Sequence, residues 1–241
     1  MPEPMLALSG VNTRIAQYHI LQGVDFEVPR GGLTMLLGRN GAGKTTCLRT
    51  IMGLWRASSG RVLCDRAEIQ DLKTPDIARL GVAYVPENMG IFAGLTVREN
   101  VLLAARAGDP EAKRLDWIFG LFPALKQFWH GLAGNLSGGQ KQMLAVARAI
   151  VEPRKLLLVD EPTKGLAPAI VGSMIEAFRE LKRTETTILV VEQNFHFARS
   201  LGDTVAVMDS GRIVHTGAMA ALAADAALQQ RLLGLSLDSH Q

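Results

Sequence analysis

The sequence predicts an α/β fold built on a mostly parallel sheet, with an antiparallel β portion ahead of it and a helical lobe inserted into it. Three stretches carry that prediction. Residues 33–37 (Leu-Thr-Met-Leu-Leu) form an apolar run of strand length, a glycine-rich loop follows, and residues 47–52 have apolar positions at helical spacing. The first thirty residues instead alternate apolar and polar, as antiparallel strands with one buried face do. Residues 88–151 lose that alternation and take up helical periodicity. The 241 residues therefore read as one domain, an α/β core over 1–87 and 152–241 with a lobe inserted over 88–151.

In chain order, residues 5–8 and 21–28 are expected to be antiparallel strands, with Tyr18 in the polar connection between them. An aromatic residue placed there either packs locally or, just upstream of a phosphate-binding loop, stacks on a base; the sequence leaves both open. Residues 60–64 and 82–86 are further strands. In the lobe, Thr96 and Glu99 have capping-box spacing ahead of a helix over 100–107, which Gly108-Asp109-Pro110 breaks before a second helix over 111–121. Pro86-Glu87-Asn88 reads as the hinge into the lobe. Ser137 and Gln140 form a second capping box, on a helix over 141–151. Beyond it alternate a strand ending at Val159, a helix over 168–182, a strand over 187–192 and a helix over 195–201. Strands over 204–208 and 212–216 and an Ala-rich packing helix over 218–233 close the chain.

Three stretches carry chemistry. The loop Gly38-Arg39-Asn40-Gly41-Ala42-Gly43-Lys44-Thr45-Thr46 fits G-x-x-x-x-G-K-[ST] between a strand and a helix. Its glycines let backbone N–H groups turn inward around a phosphate, and the helix N-terminus adds its positive dipole end. Lys44 is expected on the β- and γ-phosphates and Thr45 on Mg²⁺, which makes this a nucleoside triphosphate site. The second stretch, Asn135-Leu136-Ser137-Gly138-Gly139-Gln140, puts two glycines in a capped first turn. Glycine there costs roughly 1 kcal/mol each relative to Ala, which makes sense where a ligand approaches the backbone. In the third, Asp160-Glu161-Pro162 follows four apolar residues, so a buried strand delivers two carboxylates to the end of the sheet where ligands bind. Asp160 is expected to hold Mg²⁺ and Glu161 to polarise the water that attacks the γ-phosphate.

Composition sets bounds. Hydrophobic residues make up 48% and charged residues 20%, enough to bury a substantial core. The net charge of +3 comes from scattered Lys and Arg, which gives no argument for nucleic acid and suits a membrane surface equally well. Cys47 and Cys64 read as small buried apolar groups in a reducing compartment. No apolar run approaches the ~18 residues that span a bilayer, and Met1-Pro2-Glu3-Pro4 lacks the features of a signal peptide. A cytosolic chain is expected, reaching the membrane only through partners.

Phosphate loop, Leu-Ser-Gly-Gly-Gln and Asp-Glu after an apolar strand, in this order and over essentially the whole chain, resemble the ATP-binding subunit of an ABC transporter. The resemblance implies a P-loop NTPase (RecA-like) core with an antiparallel β subdomain and an inserted α-helical subdomain. It implies ATP and Mg²⁺ as cofactors and a head-to-tail dimer in which each ATP lies between one chain's phosphate loop and the other's signature helix. Ser137, Gly138, Gly139 and Gln140 are thereby assigned to the partner's ATP, and Tyr18 to adenine stacking. Val-Pro-Glu at Glu87, Gly-Leu-Ala-Pro at Ala167 and Val-Glu-Gln-Asn at Gln193 depart from the commoner Gln, Asp and His, and resemble the shorter ATPase subunit of branched-chain amino acid importers (LivF-type). Glu87 would then offer Mg²⁺ a carboxylate oxygen, and Gln193 could hydrogen-bond the γ-phosphate but not titrate. Expected partners are two transmembrane permease subunits, a second ATP-binding subunit and, indirectly, an extracytoplasmic solute-binding protein, with the chain on the inner face of the membrane. Importers of urea and short amides share much of this pattern. A soluble ABC-type ATPase of translation or DNA repair usually pairs two cassettes or carries a long coiled coil, and a small kinase or GTPase has no use for residues 136–140; neither addition is present.

Overall fold

In the computed structural model, which describes residues 3–105 and 108–234, two sheets organise the chain. An antiparallel sheet has the order β2-β1-β4-β5, from β1 (Leu6–Ile15), β2 (Tyr18–Val28), β4 (Ser59–Cys64) and β5 (Ala67–Glu68). The second sheet has six strands, in the order β10-β9-β3-β8-β7-β6. Its members are β3 (Leu33–Leu37), β6 (Val82–Val85), β7 (Leu156–Asp160), β8 (Thr187–Glu192), β9 (Thr204–Asp209) and β10 (Arg212–Ala218). All run parallel except β10, which is antiparallel to β9.

Strand alternation divides the core in two. Leu33, Met35, Leu37, Leu157, Val159, Ile188 and Val190 face a layer that includes the helical lobe, whereas Leu36, Leu156, Leu158, Leu189 and Val191 face the antiparallel sheet and α1 (Lys44–Ile51). A sheet buried on both faces needs such continuous apolar strands. Among the described residues, four α-helices lie between β6 and β7: α3 (Val97–Leu102), α4 (Ala112–Leu121), α5 (Pro123–Gln127) and α6 (Gly138–Ala149). The two capping boxes form as the spacing requires: Thr96 accepts from Glu99 N and Ser137 from Gln140 N, each glutamate or glutamine side chain answering the cap's own N–H. Helices α7 (Pro168–Lys182) and α8 (Phe195–Leu201) and strands β3 and β8 coincide with the expected bounds.

Elsewhere the structure corrects the sequence reading. Tyr18 opens β2 opposite Ile15, and the connection is only the turn at Ala16 and Gln17. The long, bulged β1–β2 ladder hides its period-2 signal wherever the register shifts. Helix α6 starts at Gly138 rather than residue 141, so both glycines are helical. The single closing helix is two, α9 (Met219–Ala224) and α10 (Ala226–Leu233), because Asp225 leaves helical geometry and caps the second through Leu228 N. The expected helix over 100–107 ends at Leu102, and its last two positions lie outside the described residues. Strand β5, α2 (Thr74–Arg79), α5 and the 3₁₀ turn Ala133–Asn135 are too short to show a period and were not expected.

Candidate functional site

Sheet order and register assemble the site. Strand β3 lies next to β8 and β8 next to β7, with Leu37 opposite Glu192 and Asp160 opposite Val191. The residues that leave these strands, Gly38, Gln193 and Glu161, therefore emerge side by side at the carboxyl edge. Val85 pairs with Val159, which brings Glu87 to the same edge from β6.

The phosphate loop takes backbone conformations that glycine alone adopts freely. Gly38 has φ +155° and passes so close to β9 that a Cβ would lie 2.2 Å from the Met208 carbonyl oxygen; Gly43, the N-cap of α1, has φ +109°. The first turn of α1 has no side-chain cap and no acidic residue, which leaves its N–H groups to a ligand. The buried Lys44 Nζ donates to the carbonyl oxygens of Gly38 and Arg39, at 2.9 and 3.1 Å, and lies 3.6 Å from Glu161 Oε1. With Asn40, Gly41, Gly43, Thr45, Thr46, Ile20, Glu87, Glu161 and Lys164 it lines a cleft of about 340 Å³.

Behind the loop, Thr45 Oγ1 donates to Asp160 Oδ1 at 3.1 Å and the Tyr84 hydroxyl donates to Oδ2 at 3.2 Å. Burial pushes the Asp160 carboxyl up to about 6 although both hydrogen bonds pull it down, and the neighbouring carboxylates of Glu161 and Glu87 add to the rise. Burial and the Asp160 charge push the Tyr84 phenol up as well. A hydroxyl and a carboxylate oxygen fixed this close are the hard donors that Mg²⁺ takes alongside phosphate and water, so these residues fit that ion. Among the described residues no cluster of three or more metal-binding His, Cys, Asp or Glu groups occurs.

Glu161 is buried and has φ +48°, an uncommon conformation outside glycine, held by its N–H on Val191 O at 2.9 Å. Its Oε1 accepts from Gln193 Nε2 at 2.6 Å, and the same amide reaches Asn40 Oδ1 at 2.7 Å. Glu87 lines the cleft, but its Oε1 is taken by Lys164 Nζ at 2.5 Å. Three supporting residues lie outside the expected set. Tyr84 holds Asp160, and Lys164 bridges Glu87 and Glu161. Glu192, buried between loops, accepts from Thr163 N and Oγ1 and from Gln193 N and Asn194 N. Glu192 and Lys164 directly precede or closely follow residues already singled out, which was the available signal.

Other expected residues lie elsewhere. Tyr18 is 63% exposed at the start of β2, two residues before Ile20, the residue of that strand that lines the cleft. The Arg39 guanidinium packs beside Gly234 at the end of α10. None of Ser137, Gly138, Gly139 and Gln140 is among the residues lining the cleft. Ser137 and Gly138 are exposed, and a Cβ on Gly138 would meet nothing within 4 Å. On Gly139 it would lie 2.7 Å from Ile170, so that glycine answers to packing within the chain, and only Gly138 leaves room for a ligand.

The ABC transporter family pattern matches residues 21–164, a span holding the phosphate loop, the 137–140 turn and Asp160-Glu161. The chain belongs to the ABC transporter family. Among ABC relatives, it is 38% identical over 95% of its length, and all of the other's, to the high-affinity branched-chain amino acid transport ATP-binding protein BraG of Pseudomonas aeruginosa. It is also 38% identical, over 88% of its length and 92% of the other's, to the probable branched-chain amino acid transport ATP-binding protein LivF of Archaeoglobus fulgidus. Among solved structures it resembles cbiO1 of Clostridium perfringens, part of the ABC transporter complex cbiONQ, with TM-score 0.80 and 28% identity over 98% of this chain and 96% of that one. As an ABC cassette it binds and hydrolyses ATP, and ABC subunits of this kind dimerise and work with membrane components. Among the described residues no helix is long and apolar enough to cross a membrane.

Proposed function

We propose that this ABC subunit powers import of branched-chain amino acids from the inner face of the membrane. It would do so with two permease subunits, a second ATP-binding subunit and an extracytoplasmic solute-binding protein. The observation that carries the solute is the identity to two branched-chain transport subunits along nearly the full length of each.

In the proposed reaction, the N–H groups of the phosphate loop and Lys44 hold the β- and γ-phosphates. Lys44 exchanges its present carbonyl partners for phosphate oxygens, a charge-assisted gain. Thr45 and Asp160 hold Mg²⁺, which supplies charge neutralisation at the phosphates. Glu87 can join them only if Lys164 releases it. Glu161 orients the attacking water and Gln193 fixes the Glu161 carboxylate. Tyr18 stacks on adenine beyond Ile20, and a partner's Ser137-Gly138 turn closes the γ-phosphate side.

The test is co-purification with candidate permeases, followed by ATPase assays with the solute-binding protein. Stimulation by leucine, isoleucine or valine supports the reading. Stimulation by urea or acetamide moves the solute, and failure to associate with any permease removes the transport role.

A further inference from the structure

The cleft that takes a polyphosphate is lined by two carboxylates, Glu161 and Glu87, and by the ammonium groups of Lys44 and Lys164, with the Asp160 carboxyl buried behind it on Thr45. Lys44 is committed to the loop carbonyls and lies near Glu161 Oε1. That leaves Glu87, more than a third exposed and close enough to contribute charge to Asp160. Lys164 Nζ sits 2.5 Å from Glu87 Oε1 and 3.4 Å from Glu161 Oε2, at the mouth of the cleft. Its backbone N–H, on Glu161 O at 3.2 Å, closes the tight turn that sets it there.

We propose that Lys164 is a positioning residue whose ammonium balances Glu87, so that the triphosphate enters a cleft where that carboxylate is already neutralised. The inference rests on this cleft being the nucleotide site. An unpaired Glu87 would repel the phosphates across a few ångströms of partly buried cleft, where like charges interact far more strongly than in bulk water. An ion pair this exposed adds little to fold stability, so its consequence is read in ligand binding.

The full-length chain is titrated with ATP in EDTA, so that no metal contributes. Lys164→Met should weaken ATP binding about tenfold while Tm moves by less than about 2 °C. In a Glu87→Gln background the same substitution should cost under about twofold, and Lys164→Arg should restore binding in the Glu87 background. Equal losses in both backgrounds would mean that Lys164 touches the phosphate itself or acts only on Glu161, and the proposal fails. No loss in either background also overturns it. Lys44→Ala separates the two readings: if it leaves ATP binding intact the site is misplaced, whereas if it abolishes binding and Lys164→Met does nothing, only the role of Lys164 falls.

Discussion

Gln193 donates both of its side-chain amide hydrogens to the site, one to Glu161 Oε1 at 2.6 Å and one to Asn40 Oδ1 at 2.7 Å. The residue after β8 thereby ties the carboxylate after β7 to the phosphate loop after β3. A hydrogen bond to a charged acceptor is worth roughly 1.5–3 kcal/mol. Gln193→Ala should therefore slow hydrolysis about tenfold to a hundredfold with ATP affinity changed less, read as a fall in kcat at nearly constant KM. Glu161→Gln should be far slower and should accumulate ATP-bound dimer. Wild-type turnover in Gln193→Ala would make that position structural.

Asp160 gives a pH signature in the absence of nucleotide and metal. Its folded carboxyl is raised from 3.8 to about 6, so the native state favours the protonated form. The stability this contributes is fully present below the unfolded value near 3.8 and is lost as pH rises through about 6. Asp160→Asn does not titrate. Its Tm relative to wild type should climb between pH 4 and pH 7.5, by an amount equivalent to at most about 3 kcal/mol, in EDTA. A flat difference across that range would show that Asp160 is not destabilised by burial. With Mg²⁺ and ATP the order should reverse, because the variant loses a metal ligand.

Ser137 tests the division of labour between chains. Its hydroxyl only caps α6, and none of its neighbours through Gln140 lines the chain's own cleft. Ser137→Arg should preserve ATP binding by the isolated chain and block formation of an ATP-bound dimer, measured by size exclusion in the Glu161→Gln background. Loss of ATP affinity in the monomer would place Ser137 in the chain's own site.

The two glycines of that turn should part company. Gly138→Ala enters open space and should leave Tm unchanged or raise it, by up to the roughly 1 kcal/mol that Ala gains over Gly in a helix. Gly139→Ala must displace Ile170 and should lower Tm, with recovery when Ile170→Ala is added. Equal melting of the two single variants would show that the α6–α7 contact yields without cost.

Cys47 and Cys64 behave as the sequence suggested: burial pushes their thiols up to about 12 and about 11, which keeps them protonated and inert. The linear chain by itself also determined the phosphate loop, both capping boxes, the strands β3 and β8, the helices α7 and α8 and the membership of the ABC family. Each of these is written in local spacing, in a 2 or 3.6 residue period, or in turn chemistry that a few consecutive residues complete. What only the tertiary structure decided is pairwise and distant in sequence. Lys164 meets Glu87 across 77 positions, Tyr84 meets Asp160 across 76, Gln193 meets Asn40 across 153, and Gly139 is filled by Ile170 from the next helix. These contacts follow from strand order and register, which put β3, β8, β7 and β6 edge to edge, and no local pattern in the sequence encodes that order.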